Sequence, residues 1–470
     1  MSPLPSDQEL LATVLHYARE GHICTPPDLI LPTASPALHS LIHFYEGSYY
    51  LKRNWNLQQR LVAQIQRLLH GTIEPVSLPS LPLPQEQQQA LAHVITHPVT
   101  FLTGGPGTGK TYTAGQLIQA FPEWKVILAA PTGKAAHLLQ SKLRFHPHLQ
   151  AGTLHRLLRY REYEPLDVYV DADLIVIDEA SMIDLPLMTA LFSAVRKGTR
   201  LLICGDPFQL PSIEAGSIFA DLVEDCPFRC HLNLSHRTNL TSILTLAHQI
   251  QAGDVDQITP FPLPSALTLA REISRHFPSL ETPLKSLKHW QNYRALTPLR
   301  HGPYGVESLN RRVDQLLQAP HQPILITAND ERLQLFNGET GVLAGNEAWF
   351  DDGRCLNRAS LPAHELAYCL TVHKSQGSEF DHVALILSEG AEQFGREMLY
   401  TAATRAKKCL EIYGSKEILC ATAAKKTVRH SGLKSLLPYR LSLPSTPKPM
   451  TILPIPTIST KQVPSVSPTI

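Results

Sequence analysis

A glycine-rich run near residue 104 carries the clearest chemical signal in the chain. Residues 104–111 read GGPGTGKT, which matches the pattern GxxxxGK(S/T), with an apolar run before it and a helical pattern after it. Glycines let backbone amides wrap phosphates, the lysine reaches the β and γ phosphates, and the threonine binds Mg²⁺. The pattern predicts an ATP site at Gly104, Gly105, Pro106, Gly107, Thr108, Gly109, Lys110 and Thr111.

Two adjacent acidic residues follow this loop at a suitable distance. The run DLIVIDEAS at 173–181 is an apolar strand pattern that delivers Asp178 and Glu179 to its end. Ligands of α/β sheets bind at the carboxyl ends of the strands. We expect Asp178 and Thr111 to hold Mg²⁺, and Glu179 to polarise the attacking water.

A glutamine after another apolar run fits the same pocket. Residues 201–205 form a strand pattern that leads into GDPFQLP at 205–211. Gln209 is therefore predicted at the edge of the same sheet, where its uncharged amide can sense the γ-phosphate. The alternative interpretation is a glutamine of an ordinary turn.

The elements that must position these residues follow from the rhythm of apolar runs. Short runs of Val, Ile, Leu and Phe alternate with helical stretches, first in 85–250 and again in 291–435. Such alternation predicts parallel sheets with crossover helices. We therefore predict an α/β fold with two RecA-like P-loop NTPase domains. The predicted strands are 99–103, 126–130, 174–178 and 201–205 in the first domain, and 294–297, 323–327, 366–372, 382–387 and 410–413 in the second.

The other segments differ from these domains in composition. Residues 1–70 show apolar residues at helical spacing and are predicted to be a small helical N-terminal docking domain. Residues 71–84 contain four prolines and are interpreted as a linker. The remaining predictions are a connector at 251–290, a small β (SH3-like) insertion in the second domain at about 338–362, and a disordered tail at 436–470.

Charge and cysteine usage limit the classes of partner. The chain has 42 basic and 41 acidic residues, a formal net charge of +1, so any nucleic-acid contact must come from a local groove. The eight cysteines are scattered and imply no disulfide framework.

The N-terminal residues MSPLPSDQEL lack the features of a signal peptide, and no long apolar run spans a membrane. We expect a cytoplasmic protein without a membrane partner.

An ordered set of longer motifs makes a family resemblance specific. The first half contains GGPGTGKT, APTGKAA, TLHRLL, VIDEASMID and CGDPFQLPSIEAGSIFADL, and the second half contains LNLSHR, LTPLRHGPYGVESLN, LFNGETGVL, LTVHKSQGSEFDHVALIL and LYTAATRAKKCLEIYG. In order and spacing, these motifs resemble the RecD family of superfamily 1 DNA helicases, the alpha subunits of exodeoxyribonuclease V. The resemblance covers roughly residues 83–414.

This resemblance implies an activity and a set of partners. The implied activity is an ATP- and Mg²⁺-dependent helicase that moves 5′→3′ on single-stranded DNA, in double-strand break repair and homologous recombination. The implied partners are single-stranded and duplex-end DNA and the beta (RecB) and gamma (RecC) subunits. In the family the nuclease lies in the beta subunit, so this chain alone is not expected to cut DNA.

The resemblance also implies roles for individual residues. Arg237 and Arg405 match the arginines that reach across the interdomain cleft to the transferring phosphoryl group. Gln87 matches the glutamine that reads adenine, although the glutamine-rich stretch leaves Gln88 possible. Gln376 and Gly377 match positions that couple nucleotide to DNA, and the positions near the DNA track are Thr132, His155, Thr371 and His373.

Two alternatives to a RecBCD subunit stay open at this point. The first is a stand-alone RecD-like helicase without partners, which co-purification would distinguish. The second is a DNA-binding regulatory subunit with a vestigial ATPase, which an ATPase assay with single-stranded DNA would distinguish. The segment before the first motor domain is short compared with the typical RecD, so its mode of docking on the gamma subunit is uncertain.

Overall fold

A computed structural model describes most of the chain before residue 438. The described residues are 5–133, 136, 147–160, 169–212, 216–233, 241–330 and 332–437. Nearly all of the predicted tail at 436–470 therefore lies outside them. Within the described ranges, no helix is long and apolar enough to cross a membrane.

The N-terminal unit is a hairpin flanked by two helices, so the prediction of a purely helical unit is wrong. Glu46 and Gly47 both have positive φ, 45° and 81°, which is the geometry of a tight hairpin turn. The aromatic residues on either side of this turn favour strands, a signal that the helical periodicity obscured. The elements are α1 (Pro5–Arg19), β1 (Ile42–Tyr45), β2 (Ser48–Leu51) and α2 (Lys52–Leu69).

The second of these helices belongs to the first motor domain as much as to the N-terminal unit. Three side chains of α2 are buried in one apolar cluster with the central strands of the first motor domain, for example with Phe101. These side chains are Leu61, Ile65 and Leu68. The following residues, 71–84, form neither helix nor strand. Their apolar side chains, among them Leu78 and Leu81, pack on the opposite side of the sheet.

A six-stranded parallel sheet forms the first domain, as the sequence predicts. Alternate residues of each strand face opposite sides, so Phe101 and Leu102 lie in two separate apolar clusters. Burial on both faces is why the strands read as continuous apolar runs. The elements are α3 (Gln85–Thr96), β3 (Val99–Gly104), α4 (Lys110–Ala120), β4 (Val126–Ala130), β5 (Leu149–Thr153), α5 (Leu154–Leu157), β6 (Leu174–Ile177), α6 (Leu185–Ala194), β7 (Arg200–Gly205), α7 (Ile218–Val223) and β8 (Arg229–Leu232).

The strand order of this sheet is β5-β4-β6-β7-β3-β8. The two outermost strands, β5 and β8, carry polar and glycine residues and were missed by the sequence prediction. Strands β6, β7 and β3 are neighbours in this sheet, with β7 in the middle, so their carboxyl ends lie side by side. Consequently the glycine-rich loop, the acidic pair and the Gln209 loop meet at one edge of the sheet.

The strands after residue 290 form two separate sheets. A parallel sheet has the order β15-β9-β16-β17, and an antiparallel sheet has the order β13-β12-β11-β10-β14. The strands are β9 (Tyr293–Thr297), β10 (His321–Ile326), β11 (Thr340–Ala344), β12 (Glu347–Phe350), β13 (Cys355–Asn357), β14 (His364–Leu366), β15 (Cys369–Thr371), β16 (Phe380–Leu387) and β17 (Ala406–Gly414).

The β insertion is larger than predicted. It spans 321–366 rather than 338–362, because the run predicted at 323–327 as a strand of the parallel sheet is β10, which lies between β11 and β14 in the antiparallel sheet. The run predicted at 366–372 is also divided between β14 and β15. Both sheets bury apolar strands, so an apolar run alone does not reveal which sheet it joins.

The predicted connector contains two helices and covers the second parallel sheet. Its prolines suggested a linker, but Ser265 and Thr282 cap two helices with their side-chain oxygens and Pro283 occupies a first helical position, where proline is favoured. Trp290 is fully buried against that sheet. The helices from here on are α8 (Thr241–Ala252), α9 (Ala266–Ser274), α10 (Pro283–Trp290), α11 (Val306–Leu317), α12 (Gly395–Ala403), α13 (Lys416–Ala424) and α14 (Leu433–Leu436).

The predicted boundary at residue 250 also needs correction. Ile243, Ala247 and Ile250 of α8 are buried in the cluster of α12 and α13, on the second sheet. The second domain therefore begins before residue 250. Residues 240–250 contain no Pro or Gly that would mark the start of the second domain. The predicted boundary therefore fell inside α8.

Candidate nucleotide site

The phosphate loop joins the end of β3 to the start of α4. Gly107 and Gly109 have φ of 74° and 84°, in the left-handed region that favours glycine. Gly104 is constrained by space instead, because a Cβ there would lie 2.6 Å from Thr108 Oγ1 and 2.8 Å from the Leu232 carbonyl oxygen. The local sequence therefore fits this loop geometry closely.

Lys110 lies over the loop, at the first position of α4. Its Nζ donates hydrogen bonds to the carbonyl oxygens of Gly104, at 2.7 Å, and Gly105, at 3.0 Å. Thr108 Oγ1 donates to the same Gly105 carbonyl at 2.9 Å. The ammonium group is thus held at the mouth of the loop and at the N-terminus of a helix, where anions are favoured.

The two predicted magnesium ligands are in direct contact. Thr111 Oγ1 donates to Asp178 Oδ2 at 2.9 Å, and the backbone N–H of Glu179 donates to Asp178 Oδ1 at 2.8 Å. A hydroxyl and a carboxylate at this spacing suit the oxygen preference of Mg²⁺, which usually keeps waters and substrate phosphates as its other ligands. Consistently, no cluster of three or more His, Cys, Asp or Glu suited to a metal occurs within the described ranges.

Glu179 lies at the meeting point of charges from both domains. Desolvation and the neighbouring Asp178 raise the pKa of its carboxyl, while Arg405 and Lys110 lower it. Its backbone has φ of 54° and ψ of 40°, an uncommon conformation for glutamate that often marks a functional position. A carboxylate with a raised pKa is a better proton acceptor, and the two cations favour its ionised form.

Arg405 reaches this cleft from the second domain, just before β17. It is only 3% exposed, and it donates from Nε to the Thr401 carbonyl at 3.2 Å and from Nη1 to the Ser378 carbonyl at 3.2 Å. Its charge acts on Glu179 of the first domain. The structure therefore brings Lys110, Glu179 and Arg405 to one cleft, whereas Arg237 lies outside the described residues.

Gln209 is buried in the loop after β7. Its Nε2 donates to Asp206 Oδ2 at 3.4 Å, and its buried Oε1 has no hydrogen-bond partner in the described part of the chain. A buried amide oxygen without a partner is costly, and such groups often mark a ligand site. An amide oxygen accepts hydrogen bonds and cannot bond a phosphate oxygen, so this orphan acceptor suits a donor such as the attacking water. The γ-phosphate role of Gln209 stays a prediction.

Two further residues join the domains at this loop, and the sequence analysis missed both. Tyr400 Oη donates to Asp206 Oδ2 at 2.8 Å across the cleft, and both residues are buried. Beside them, the backbone N–H of Leu210 donates to Thr401 Oγ1 at 2.8 Å. Asp206 and Tyr400 stand inside the motifs GDPFQLP and LYTAATR, but only the fold reveals that they pair.

Gln376 contacts the same loop from the second domain. Its Nε2 donates to the Leu210 carbonyl at 2.9 Å, and Gly377 beside it has φ of 70°. This contact gives Gln376 a direct connection to the Gln209 loop. Its role in coupling nucleotide to DNA stays a prediction.

The two glutamines considered for adenine occupy different environments. Gln87 is only 2% exposed in α3, whereas Gln88 is exposed and its Nε2 donates to the Leu83 carbonyl at 2.7 Å. Gln88 therefore binds the linker before α3. The adenine role of Gln87 stays a prediction, and this arrangement favours Gln87 over Gln88.

The residues predicted near the DNA track are dispersed along the top of both domains. Thr132 follows β4, exposed His155 lies in α5 with its ring 5.6 Å from that of Tyr160, and Thr371 Oγ1 accepts from the Lys374 N–H at 3.2 Å. Burial lowers the pKa of His373. Their DNA contacts stay predictions.

A cavity of about 1010 Å³ lies between the edge of the first domain and the β insertion. Its walls include Arg156 and Arg159, next to His155, and Phe336 of the insertion, which packs so closely on Gly133 that a Cβ there would overlap it. Within the described ranges, neither arginine has an ion-pair partner. The lining also includes Asp171, Glu339, Asp351 and Asp352, so the cavity carries charges of both signs.

Two RecA-like domains that close on a phosphate loop define the chain as an ATP-driven nucleic-acid motor. Residues 82–264 match the family model described as AAA domain, and residues 366–413 match the UvrD-like helicase C-terminal domain. The first match covers the phosphate loop and the acidic pair, and the second, to a helicase domain, covers Gln376 and Arg405.

Full-length relatives make the assignment particular. The chain is 33% identical to the RecBCD enzyme subunit RecD of Mycolicibacterium smegmatis, over 93% of this chain and 94% of that protein. It is 31% identical to RecD of Haemophilus influenzae, covering 89% and 83% of the two chains. It is also 31% identical to the ATP-dependent RecD2 DNA helicase of Deinococcus radiodurans, covering 69% of this chain and 48% of that one. The chain belongs to the RecD family and is a DNA-dependent ATPase and DNA helicase.

Proposed function

We propose that this chain is the RecD subunit of a RecBCD helicase-nuclease and moves 5′→3′ on single-stranded DNA. The observation that carries the catalytic part is the contact of Thr111 Oγ1 with Asp178 Oδ2 next to the Lys110 loop, at the cleft where Tyr400 of the second domain donates to Asp206. The matches to RecD subunits of two bacteria, over most of each chain, support the assembly with RecB and RecC.

The chemistry assigned to the site uses residues of both domains. The amides of the glycine-rich loop and Lys110 hold the β and γ phosphates of ATP, and Glu179 accepts a proton from the attacking water. Thr111 and Asp178 would hold Mg²⁺, which when bound would supply positive charge near the phosphate oxygens. Arg405, with Arg237 by resemblance, stabilises the charge that develops on the transferring group.

Movement follows from the contacts of the Gln209 loop. Gln209 senses the γ-phosphate, and the loop is hydrogen-bonded to the second domain through Tyr400, Thr401 and Gln376. Loss of the γ-phosphate removes a ligand that favours the closed cleft, so the domains separate. DNA gripped alternately by the two domains advances with each cycle.

The stand-alone and vestigial alternatives have less support. The match covers 48% of the RecD2 helicase but 94% of the mycobacterial RecD, which favours the subunit. The set of Lys110, Asp178, Glu179 and Arg405 occupies one cleft, which argues against a vestigial ATPase.

The direct test is ATP hydrolysis by the purified chain, with and without single-stranded DNA. We expect strong stimulation by DNA, loss of turnover in Lys110→Ala at an unchanged melting temperature, and unwinding of duplexes with a 5′ tail only. Co-expression with RecB and RecC should yield one complex. Normal turnover in Lys110→Ala would refute the site, and unwinding only from 3′ tails would refute the polarity.

A further inference from the structure

The chain after α13 returns to the first domain. Residues 425–437, here called the return segment, leave the second domain at Ala424 and insert Leu433 and Leu437 into the apolar cluster of α2 and the first sheet. Gln58 Nε2 donates to the Ser431 carbonyl at 2.6 Å, and Ser431 Oγ donates to Asp221 Oδ2 at 2.6 Å. The return segment is thus anchored in the first domain by both burial and hydrogen bonds.

The same segment is hydrogen-bonded to the turn after α1. The backbone N–H of Ile23 donates to the His430 carbonyl at 2.8 Å, and the His430 N–H donates to His22 Nδ1 at 3.0 Å. That turn also accepts, at the Gly21 carbonyl, a bond of 2.8 Å from the Gly216 N–H. Three separate parts of the chain therefore meet at this point.

Arg429 occupies the centre of this meeting point. Its Nη1 donates to the carbonyl oxygens of Ser212 and Gly216, and Gly21, with φ of 84°, lies so close that a Cβ would be 2.8 Å from the guanidinium carbon. Nη1 carries two N–H groups, so this one nitrogen can donate to both carbonyls at once. The fit of Gly21 against it holds the group in place.

The carbonyl groups that Arg429 binds flank the continuation of the Gln209 loop. Ser212 is three residues after Gln209, and Leu210 between them is held from the other side by Thr401 and Gln376 of the second domain. The positive charge of Arg429 also contributes to lowering the pKa of His373, near the predicted DNA track. Arg429 is therefore close to both the nucleotide-sensing loop and the DNA-side motif.

We propose that Arg429 is a positioning residue for ATP hydrolysis: through the Ser212 and Gly216 carbonyls it fixes the loop that carries Gln209. This inference rests on the proposed function, because it assigns Gln209 to the γ-phosphate. When the guanidinium is lost, the loop keeps its bonds to the second domain but loses its support on the first. Gln209 then shifts relative to Lys110 and Glu179.

The test compares two substitutions in the return segment. Arg429→Gln removes the guanidinium, whereas the matched control Lys434→Gln removes a cation that pairs with Asp221 and Glu224, away from the loop. We expect Arg429→Gln to lower the kcat of DNA-stimulated hydrolysis by about tenfold to a hundredfold, the cost of a small misplacement. Its KM for ATP should stay near that of the wild type, because the phosphate loop is intact, and Lys434→Gln should keep the wild-type kcat.

Arg429→Lys provides the second variant. It keeps the charge and one donor, so it should fold, melt near the wild-type temperature and show an intermediate kcat. A wild-type kcat in both Arg429 variants would overturn the proposal. The proposal would also be overturned if kcat fell equally in Arg429→Gln and Lys434→Gln and the melting temperature fell with it. That result would indicate a purely structural role. Absence of DNA-stimulated hydrolysis in the wild type would instead contradict the proposed function.

Discussion

The hydrogen bond between Tyr400 and Asp206 offers a sharp test of domain closure. Tyr400→Phe removes one hydroxyl, which is buried and donates to Asp206 Oδ2 at 2.8 Å. Burial and Asp206 both raise the pKa of Tyr400, so the hydroxyl stays protonated and remains a donor at working pH. Loss of a bond to a buried charged acceptor costs about 1.5–3 kcal/mol.

The lost hydrogen bond destabilises the closed state, in which the two domains are in contact. Each 1.4 kcal/mol is tenfold in an equilibrium constant, so the ratio of closed to open molecules should fall by at least about tenfold. Only that arrangement brings Arg405 to Glu179, so we expect the kcat of DNA-stimulated ATP hydrolysis to fall by a similar factor.

Steady-state ATPase with saturating single-stranded DNA provides the measurement. The matched control is Tyr413→Phe, which removes a hydroxyl that donates to Glu411 at 3.2 Å within β17 of the second domain. This control should have the wild-type kcat. Equal kcat values for the wild type, Tyr400→Phe and Tyr413→Phe would refute the reasoning.

Two other predictions concern protonation. Glu179→Gln should bind ATP but lower the single-turnover rate by roughly 10²–10⁴-fold, as for loss of a general base; an unchanged rate would remove Glu179 from that role. Because its pKa is raised, wild-type hydrolysis should decline with acidification at a higher pH than for an ordinary glutamate. Burial, and to a smaller extent the neighbouring His97, lowers the pKa of His93 from 6.5 to about 4. The buried neutral His93 therefore contributes its full share to the free energy of unfolding above pH 6.5, and this contribution is lost as the pH falls toward 4. At pH 5 the free energy of unfolding measured in urea should be lower by about 2 kcal/mol, and this pH-dependent decrease should be absent in His93→Gln.

Local motifs made the nucleotide site predictable. The glycine-rich loop, the acidic pair and Gln209 each follow an apolar strand, and parallel strands bring their carboxyl ends together without further information. The contact of Thr111 with Asp178 follows directly from this rule. The two-domain α/β fold was predictable for the same reason.

Long-range choices were not predictable from these local signals. The apolar run in β10 is compatible with either the parallel or the antiparallel sheet. Its pairing with β11 and β14 shows that it belongs to the antiparallel sheet. Likewise, nothing near Arg429 in sequence indicates that its guanidinium reaches Ser212. Prolines misled the connector prediction because a proline at the first position of α10 begins a helix rather than breaking one.

The convergence of both domains on one nucleotide is tested most directly by single-turnover ATP hydrolysis in Arg405→Lys. We predict that this variant binds ATP like the wild type and hydrolyses it on single-stranded DNA on the order of 10³-fold more slowly, because a lysine cannot supply the planar fork at the transferring phosphoryl group. An unchanged single-turnover rate would contradict a shared catalytic cleft.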